Sequence, residues 1–185
     1  QAMHAAADLI GLPRCAERAV RDIVGLGLPE AIATLYPAIE HDAAQALRRA
    51  YSDCYVQLEE VPSPLFPGVL EALEAFRRTG VGLAVATGKS RRGLQRVLAA
   101  HDLTGFFDST RCADETASKP DPLMLRLILA ELGVPPERSI MLGDSEYDLR
   151  MAHAAAVRPV AVTYGAQPRE HLLRWEPERC IDGFD

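Results

Sequence analysis

Two aspartates follow a short apolar segment at positions 140–142. A segment of this length is too short for a helix and is typical of a buried strand, and Gly143 allows a sharp turn after it. Asp148 lies one helical turn beyond Asp144, so both carboxylates are expected at the carboxyl end of a sheet. Such a pair favours a hard cation such as Mg²⁺ between its oxygens. The alternative is that Asp144 caps a helix and Asp148 faces solvent.

A hydroxyl and a glycine follow another apolar segment, at Thr87 and Gly88, with Ser90 close behind. An unpaired glycine N–H beside a helix N-terminus favours an anion, so the sequence predicts phosphate binding at Thr87 and Gly88. A P-loop does not fit, because its spacing requires glycine at position 83, which is Leu83. The alternative is that Thr87 and Ser90 only cap the following helix.

A lysine stands immediately before a predicted helix that begins with proline, in the sequence Ser118-Lys119-Pro120. Its ammonium is a compact point charge that is able to bind a phosphate group. The alternative is an ordinary solvated lysine in a loop. The phosphate-binding interpretation of Lys119 is favoured because we expect Lys119 at the same sheet edge as Thr87 and Asp144, each of which follows a predicted strand.

Alternating strands and helices are predicted to position these residues. The predicted strands are 81–86, 108–113, 139–142, 159–163 and one near 180–181. The predicted helices between and after them are 68–79, 90–101, 120–132, 145–154 and 168–175. Strands separated by helices indicate an α/β fold, a parallel sheet with helices on both faces.

The chain before this pattern is predicted to be helical. Apolar residues at helical spacing indicate helices over 2–10, 14–24, a segment ending near 36, and 40–59. A stiff stretch rich in proline follows and is a plausible domain boundary. We therefore expect a helical domain over residues 1–62 and an α/β domain over residues 63–185.

The composition limits the possible partners and location. The 185 residues are 48% hydrophobic and 25% charged, as in ordinary globular proteins. A net charge of −6 argues against a nucleic acid or an anionic membrane as partner. No apolar run approaches the roughly 20 residues of a membrane span, and the first residues lack the features of a secretory signal. Four separated cysteines without a C-x-x-C motif indicate reduced thiols, and hence a cytoplasmic protein.

The order and spacing of the three polar motifs resemble those of the haloacid dehalogenase (HAD) superfamily. Thr87 is similar to the family's second motif, Lys119 to its third, and Asp144 with Asp148 to its fourth. The resemblance extends over nearly the whole chain and is greatest to enzymes like phosphoglycolate phosphatase. It implies a Rossmann-like parallel core and identifies residues 1–62 as a helical cap inserted after the first strand.

The resemblance also implies a function. Members of this kind hydrolyse phosphate monoesters of small metabolites through an aspartyl-phosphate. By this resemblance, Thr87 and the Gly88 N–H hold the phosphoryl oxygens, and Lys119 offsets negative charge. Asp144 binds Mg²⁺ with support from Asp148, so these two form the metal pair. The cap closes over the substrate, excludes water and selects the leaving group.

One part of the family pattern is absent from the sequence. The first motif, D-x-D-G-T, supplies the nucleophile, and no D-x-D occurs at any position. In the family this motif lies on the first, central strand, just ahead of the cap. We therefore expect a natural protein longer by roughly 20 residues, a strand with its loop. The alternatives are a metal-independent haloacid dehalogenase and a non-catalytic binding or regulatory protein of the same fold.

Overall fold

The chain folds as a group of helices followed by alternating strands and helices, in a computed structural model that describes residues 1–58 and 63–184. The helices of the first group are α1 (Ala2–Leu9), α2 (Glu17–Asp22), α3 (Leu28–Leu35) and α4 (His41–Leu58). The four predicted helices are therefore observed, with α2 shorter than expected at both ends. Residue 59 and the expected domain boundary at residue 62 lie outside the described residues.

The helical group has an apolar core of its own. α1 and α3 both pack against α4, which is the longest of the four helices. Helical spacing of apolar residues along α4 faces Leu47 and Cys54 inward, while Leu58 at its end is exposed. The buried residues of this cluster are Ala2, Met3, Ala6, Ile32, Leu47 and Cys54.

The second group alternates strands with helices, as the sequence predicts. Its strands are β1 (Ala84–Thr87), β2 (Ser109–Cys112), β3 (Ile140–Gly143), β4 (Arg158–Val162) and β5 (Arg179–Ile181). Its helices are α5 (Val69–Arg78), α6 (Arg91–Ala100), α7 (Leu123–Leu132), α8 (Glu146–Ala154) and α9 (Arg169–Leu172). Short 3₁₀ helices occur at Pro136–Arg138 and Leu173–Trp175.

α7 begins later than the sequence predicts. The expected start at residue 120 is wrong, because the helix begins at Leu123. Lys119 and Asp121 each precede a proline, and a residue before proline is disfavoured in the helical conformation. The Asp121 carboxylate instead accepts a hydrogen bond from the Leu123 N–H at 2.9 Å. Lys119 therefore lies in a turn before the helix rather than directly at its first residue.

All observed strand pairs are parallel, which confirms the predicted α/β class. β1 pairs with β2, while β4 pairs with β3 on one side and with β5 on the other. Among the described residues, β1 and β3 are not joined, so the strands form two separate sheets. Ile140 and Leu142 of β3 are 54% and 42% exposed, which is unusual for apolar residues of a parallel strand.

Helices α7 and α8 bury the apolar sides of these sheets. One cluster contains Met124, Leu125, Met151, Ala152, Ala155 and Val157. A smaller one joins Leu149 of α8 to Ala161 of β4 and Leu172 of α9. α8 is thus packed between both clusters, which fixes its N-terminus at the carboxyl end of β3.

The helices and the cysteines were compared with what a membrane span and a disulfide require. Within the described residues, no helix combines the length and apolar character that are needed to cross a membrane. All four cysteines, Cys15, Cys54, Cys112 and Cys180, are free thiols. Cys112 is fully buried, and burial raises the pKa of its thiol to about 11.

Replacing Leu47 by alanine tests the core of the helical group. Because this side chain is fully buried, we expect Leu47→Ala to lower the free energy of unfolding by about 2–5 kcal/mol. Leu58→Ala makes the same change on the same helix at an exposed position, where we expect about 0.5 kcal/mol or less. Denaturant unfolding followed by circular dichroism measures both, and equal losses would contradict the packing described.

Candidate active site

A buried ion pair lies at the centre of the predicted site. The Lys119 ammonium donates to one carboxylate oxygen of Asp148 at 2.5 Å, and both side chains are 6% exposed. Lys119 comes from the turn after β2, and Asp148 from the first turn of α8. The structure therefore brings two of the predicted residues into direct contact, and neither is the solvated residue of the alternative interpretation.

The second oxygen of Asp148 is held by Ser145. The Ser145 hydroxyl donates to it at 2.7 Å and accepts from the Asp148 N–H at 3.4 Å. Ser145, not Asp144, is thus the N-cap of α8. Ser145 is fully buried and both Asp148 oxygens have partners, so this carboxylate is fixed in one orientation.

Asp144 occupies the turn between β3 and α8. One of its carboxylate oxygens accepts from the Ala166 N–H at 2.9 Å, and its backbone carbonyl accepts from the Gln167 N–H at 3.1 Å. The other carboxylate oxygen receives no hydrogen bond from another residue in the described parts of the chain. The turn after β4 thus orients Asp144, and the second carboxylate oxygen is a hard donor that is able to bind a cation.

Two glycines allow these aspartates to approach the backbone. A Cβ atom on Gly143 would overlap the Asp148 side chain, and one on Gly165 would overlap that of Asp144. Any larger residue at either position would displace a carboxylate. The two glycines are therefore part of the site, although they carry no reactive group.

The electrostatic surroundings of Asp144 act in opposite directions. Burial raises the pKa of its carboxyl group above the usual range, the Ala166 N–H lowers it, the nearby Asp148 raises it and Lys119 lowers it. Burial is the largest of these effects, because it disfavours the charged form. An ionised Asp144 would gain from a cation beside it.

The predicted phosphate-binding residues lie at the end of β1. The Thr87 hydroxyl accepts from the Lys89 N–H at 3.1 Å, within the turn that leads to α6. Ser90 is the N-cap of α6 and accepts from the Gly93 N–H at 3.2 Å. Ser90 therefore caps the helix as the alternative predicted, whereas Thr87 does not.

A short segment of the helical group, Gly25–Gly27, contacts all three predicted motifs. The Ser118 hydroxyl accepts from the Gly27 N–H at 2.8 Å. A Cβ atom on Gly88 would lie 2.6 Å from the Leu26 carbonyl oxygen, and one on Gly25 would lie 2.7 Å from the Ser145 hydroxyl. Because one segment of three residues reaches all of them, the three motifs surround one region.

A second contact joins the helical group to the Thr87 turn. The Lys89 ammonium donates to the Tyr55 hydroxyl of α4 at 2.6 Å and lies 4.7 Å from the centre of that ring. Tyr51, one turn earlier on α4, stacks against Tyr55. The helical group thus contacts the site through a loop and through a helix.

Several residues of this region were not predicted from the sequence. They are Ser145, Gly165, Ala166, Gln167 and the segment Gly25–Gly27. Ser145 alone had a usable signal, since serine directly before a helix is a strong N-cap. The others act through backbone groups or through contacts distant in sequence, which spacing does not reveal. Two surface cavities lie away from this region, beside α4, and the residues lining both include His41 and Gln45.

Comparison with known proteins identifies the family of this chain. A family model described as haloacid dehalogenase-like hydrolase matches residues 1–156. The chain is 32% identical over 179 residues to a probable phosphatase, IndB, of Dickeya dadantii, covering 95% of this chain and 78% of that protein. It is 30% identical over 185 residues to a phosphoglycolate phosphatase of Vibrio cholerae, covering 96% of this chain and 82% of that protein.

The fold is also similar to that of a solved structure. The crystal structure of CbbY from Rhodobacter sphaeroides in complex with phosphate matches with a TM-score of 0.84 at 27% identity, over 99% of this chain and 85% of that one. The family match, the identity to these relatives and the shared fold lead to one conclusion. The chain belongs to the haloacid dehalogenase-like hydrolase family.

Proposed function

We propose that the full-length protein is a Mg²⁺-dependent phosphatase that hydrolyses the phosphate monoester of a small metabolite through an aspartyl-phosphate. The observation that carries this proposal is the buried Lys119–Asp148 pair beside Asp144 at the carboxyl edge of the sheets. A lysine is costly to bury unless its charge is used or compensated. Phosphoryl transfer needs such fixed positive charge at its reacting group.

The name of a relative suggests the substrate class. One relative at 30% identity is named a phosphoglycolate phosphatase, so we infer a phosphoglycolate-like metabolite for this chain. We propose that the protein acts in the cytoplasm and that neither a nucleic acid nor a membrane is its partner.

The residues at the site fit a magnesium ion. Asp144 offers a carboxylate oxygen that receives no hydrogen bond from another described residue, and hard oxygen donors are the ligands that Mg²⁺ prefers. Among the described residues, no cluster of three or more acidic, histidine or cysteine side chains is present. A Mg²⁺ site usually has one or two carboxylates completed by water and substrate phosphate, and Asp144 would supply one of these carboxylates.

Each residue of the site would have its own role at the phosphoryl group. Asp144 would hold the ion, and Asp148 would support it by fixing the Lys119 ammonium toward the same region. Thr87 and the Gly88 N–H would hold phosphoryl oxygens, and Lys119 would offset their negative charge. When bound, Mg²⁺ would supply further stabilisation of charge on the transferred group. The Gly25–Gly27 segment would cover the substrate and exclude water.

The nucleophile requires a segment that precedes Gln1 in the natural protein. We propose that this segment carries a D-x-D motif and forms a strand between β1 and β3. The separation of the two sheets supports this, as do the exposed apolar residues Ile140 and Leu142. A strand inserted there would pair with both neighbours and cover these side chains. One aspartate of the motif would attack phosphorus as the P–O bond to the substrate breaks, and the other would give its proton to the leaving oxygen. Water would then hydrolyse the aspartyl-phosphate.

The coding sequence ahead of Gln1 provides the first check. We expect D-x-D-G-T within about 30 residues upstream, the length of a strand, its loop and the start of a helix. A natural protein with no aspartate in that stretch would instead favour the non-catalytic alternative.

Replacing Asp144 tests the proposed metal ligand. In the full-length protein we expect Asp144→Asn to lower kcat for phosphoglycolate by about 100-fold or more, because charge stabilisation at the phosphoryl group is lost. Phosphate release measures this, and EDTA should abolish the activity of the unmodified enzyme. Asp53→Asn, at an exposed position of α4, is the matched control and should leave kcat unchanged. Phosphate release that survives EDTA would contradict the proposed Mg²⁺ requirement.

Replacing Lys119 tests the buried pair. We expect Lys119→Met to abolish phosphate release and to lower the free energy of unfolding by about 3–5 kcal/mol, because Asp148 is left buried without its counter-charge. The double variant Lys119→Met/Asp148→Leu should recover part of that stability but none of the activity. Denaturant unfolding separates these outcomes, with Arg92→Met on the exposed face of α6 as control. A single variant as stable as the parent would contradict the pairing.

A further inference from the structure

The turn after β4 carries a buried polar side chain that no predicted motif includes. Gln167 is only 3% exposed and lies beside Asp144. A glutamine is rarely buried to this degree unless its amide is hydrogen-bonded. Its partners therefore indicate what it holds in place.

The Gln167 amide joins two helix ends. Its carbonyl oxygen accepts from the Glu146 N–H at 2.7 Å, and its amide nitrogen reaches the Asp22 carbonyl at 3.5 Å. Glu146 is the first residue of α8 and Asp22 the last of α2. Helix termini leave such groups without partners inside the helix. Gln167 thus gives α8 a hydrogen-bond acceptor that its own sequence lacks, and it links that helix to the helical group.

The same turn holds Asp144 through its backbone. The N–H groups of Ala166 and Gln167 donate to the carboxylate and to the carbonyl of Asp144, at 2.9 and 3.1 Å. Gly165 packs directly against the Asp144 side chain, at a distance that leaves no room for a Cβ atom. The position of Asp144 therefore depends on the position of the turn, and the Gln167 side chain fixes the turn against α8.

We infer that Gln167 is a positioning residue for the Asp144 carboxylate, which it holds in the orientation that binds Mg²⁺ by fixing the turn after β4 against the N-terminus of α8. This inference rests on the proposed function, because it assumes that Asp144 is a metal ligand. Residues that orient a metal ligand typically change metal affinity by 10–100-fold when they are replaced. The effect should therefore appear in the binding of the ion rather than in the chemical step.

The test compares three variants of the full-length protein. Gln167→Met removes both the acceptor and the donor at nearly constant volume. Gln167→Glu keeps an acceptor for the Glu146 N–H but removes the weaker donor to Asp22. Gln95→Met makes the first change at an exposed position of α6 and serves as the control.

Two measurements are made on each variant as the Mg²⁺ concentration is varied: the melting temperature without substrate, and phosphate release. The midpoint of each curve is the Mg²⁺ concentration that gives half of the full change. For Gln167→Met we expect both midpoints to rise about 10-fold or more, with kcat at saturating Mg²⁺ within about threefold of the parent. Gln95→Met should keep both midpoints within about threefold, since the whole site is retained, and Gln167→Glu should raise them less than Gln167→Met because it retains the acceptor.

Two results would overturn the inference. The first is a Gln167→Met variant with unchanged Mg²⁺ midpoints, even if its melting temperature in EDTA is lower, since that describes a purely structural role. The second is equal weakening in Gln167→Met and Gln167→Glu, since the acceptor would then not be the cause. Failure of the proposed function is visible separately, in a parent protein whose melting temperature does not respond to Mg²⁺, and that result removes this inference with it.

Discussion

The contact between Lys119 and Asp148 is the constraint on which the site depends. Two opposite charges taken out of water are stable only with good geometry and with their remaining hydrogen-bonding groups satisfied. The structure meets that condition on the side of Asp148, with the Ser145 hydroxyl on its second oxygen and with a glycine at position 143, which admits the carboxylate. The turn after β2 and the first turn of α8 are therefore held at one distance, although β2 and β3 belong to different sheets.

The helical group contributes to the site through small residues. A Cβ atom on Gly25 would collide with the Ser145 hydroxyl at 2.7 Å, and one on Gly27 would come within 3.1 Å of the Ser118 hydroxyl. Leu26, between them, presents its backbone carbonyl to Gly88. This close approach explains how a group with its own apolar core contacts the ends of three strands. The Lys89–Tyr55 contact is different, since it joins the two parts through two long side chains rather than through the backbone.

The sequence was sufficient to predict the elements and the strand ends near which Thr87 and Asp144 lie, because both depend on local patterns. Apolar segments ended by glycine predicted β1 and β3, and the interval between Asp144 and Asp148 predicted one helical turn. The predicted start of α7 at Pro120 was wrong, because Pro122 disfavours the helical conformation at Asp121 before it. Gln167 was not found, because its importance depends on Glu146 and Asp22, which are 21 and 145 residues away. Spacing along a chain does not reveal contacts of that separation.

The open sides of β1 and β3 have a consequence for handling the protein in solution. Each strand presents backbone donors and acceptors that no described strand satisfies, and β3 adds the apolar side chains of Ile140 and Leu142. Natural sheets usually protect such borders with charge, proline or a covering element. Through these groups either border is able to accept a strand from a neighbouring molecule. Association at high protein concentration would then require no unfolding.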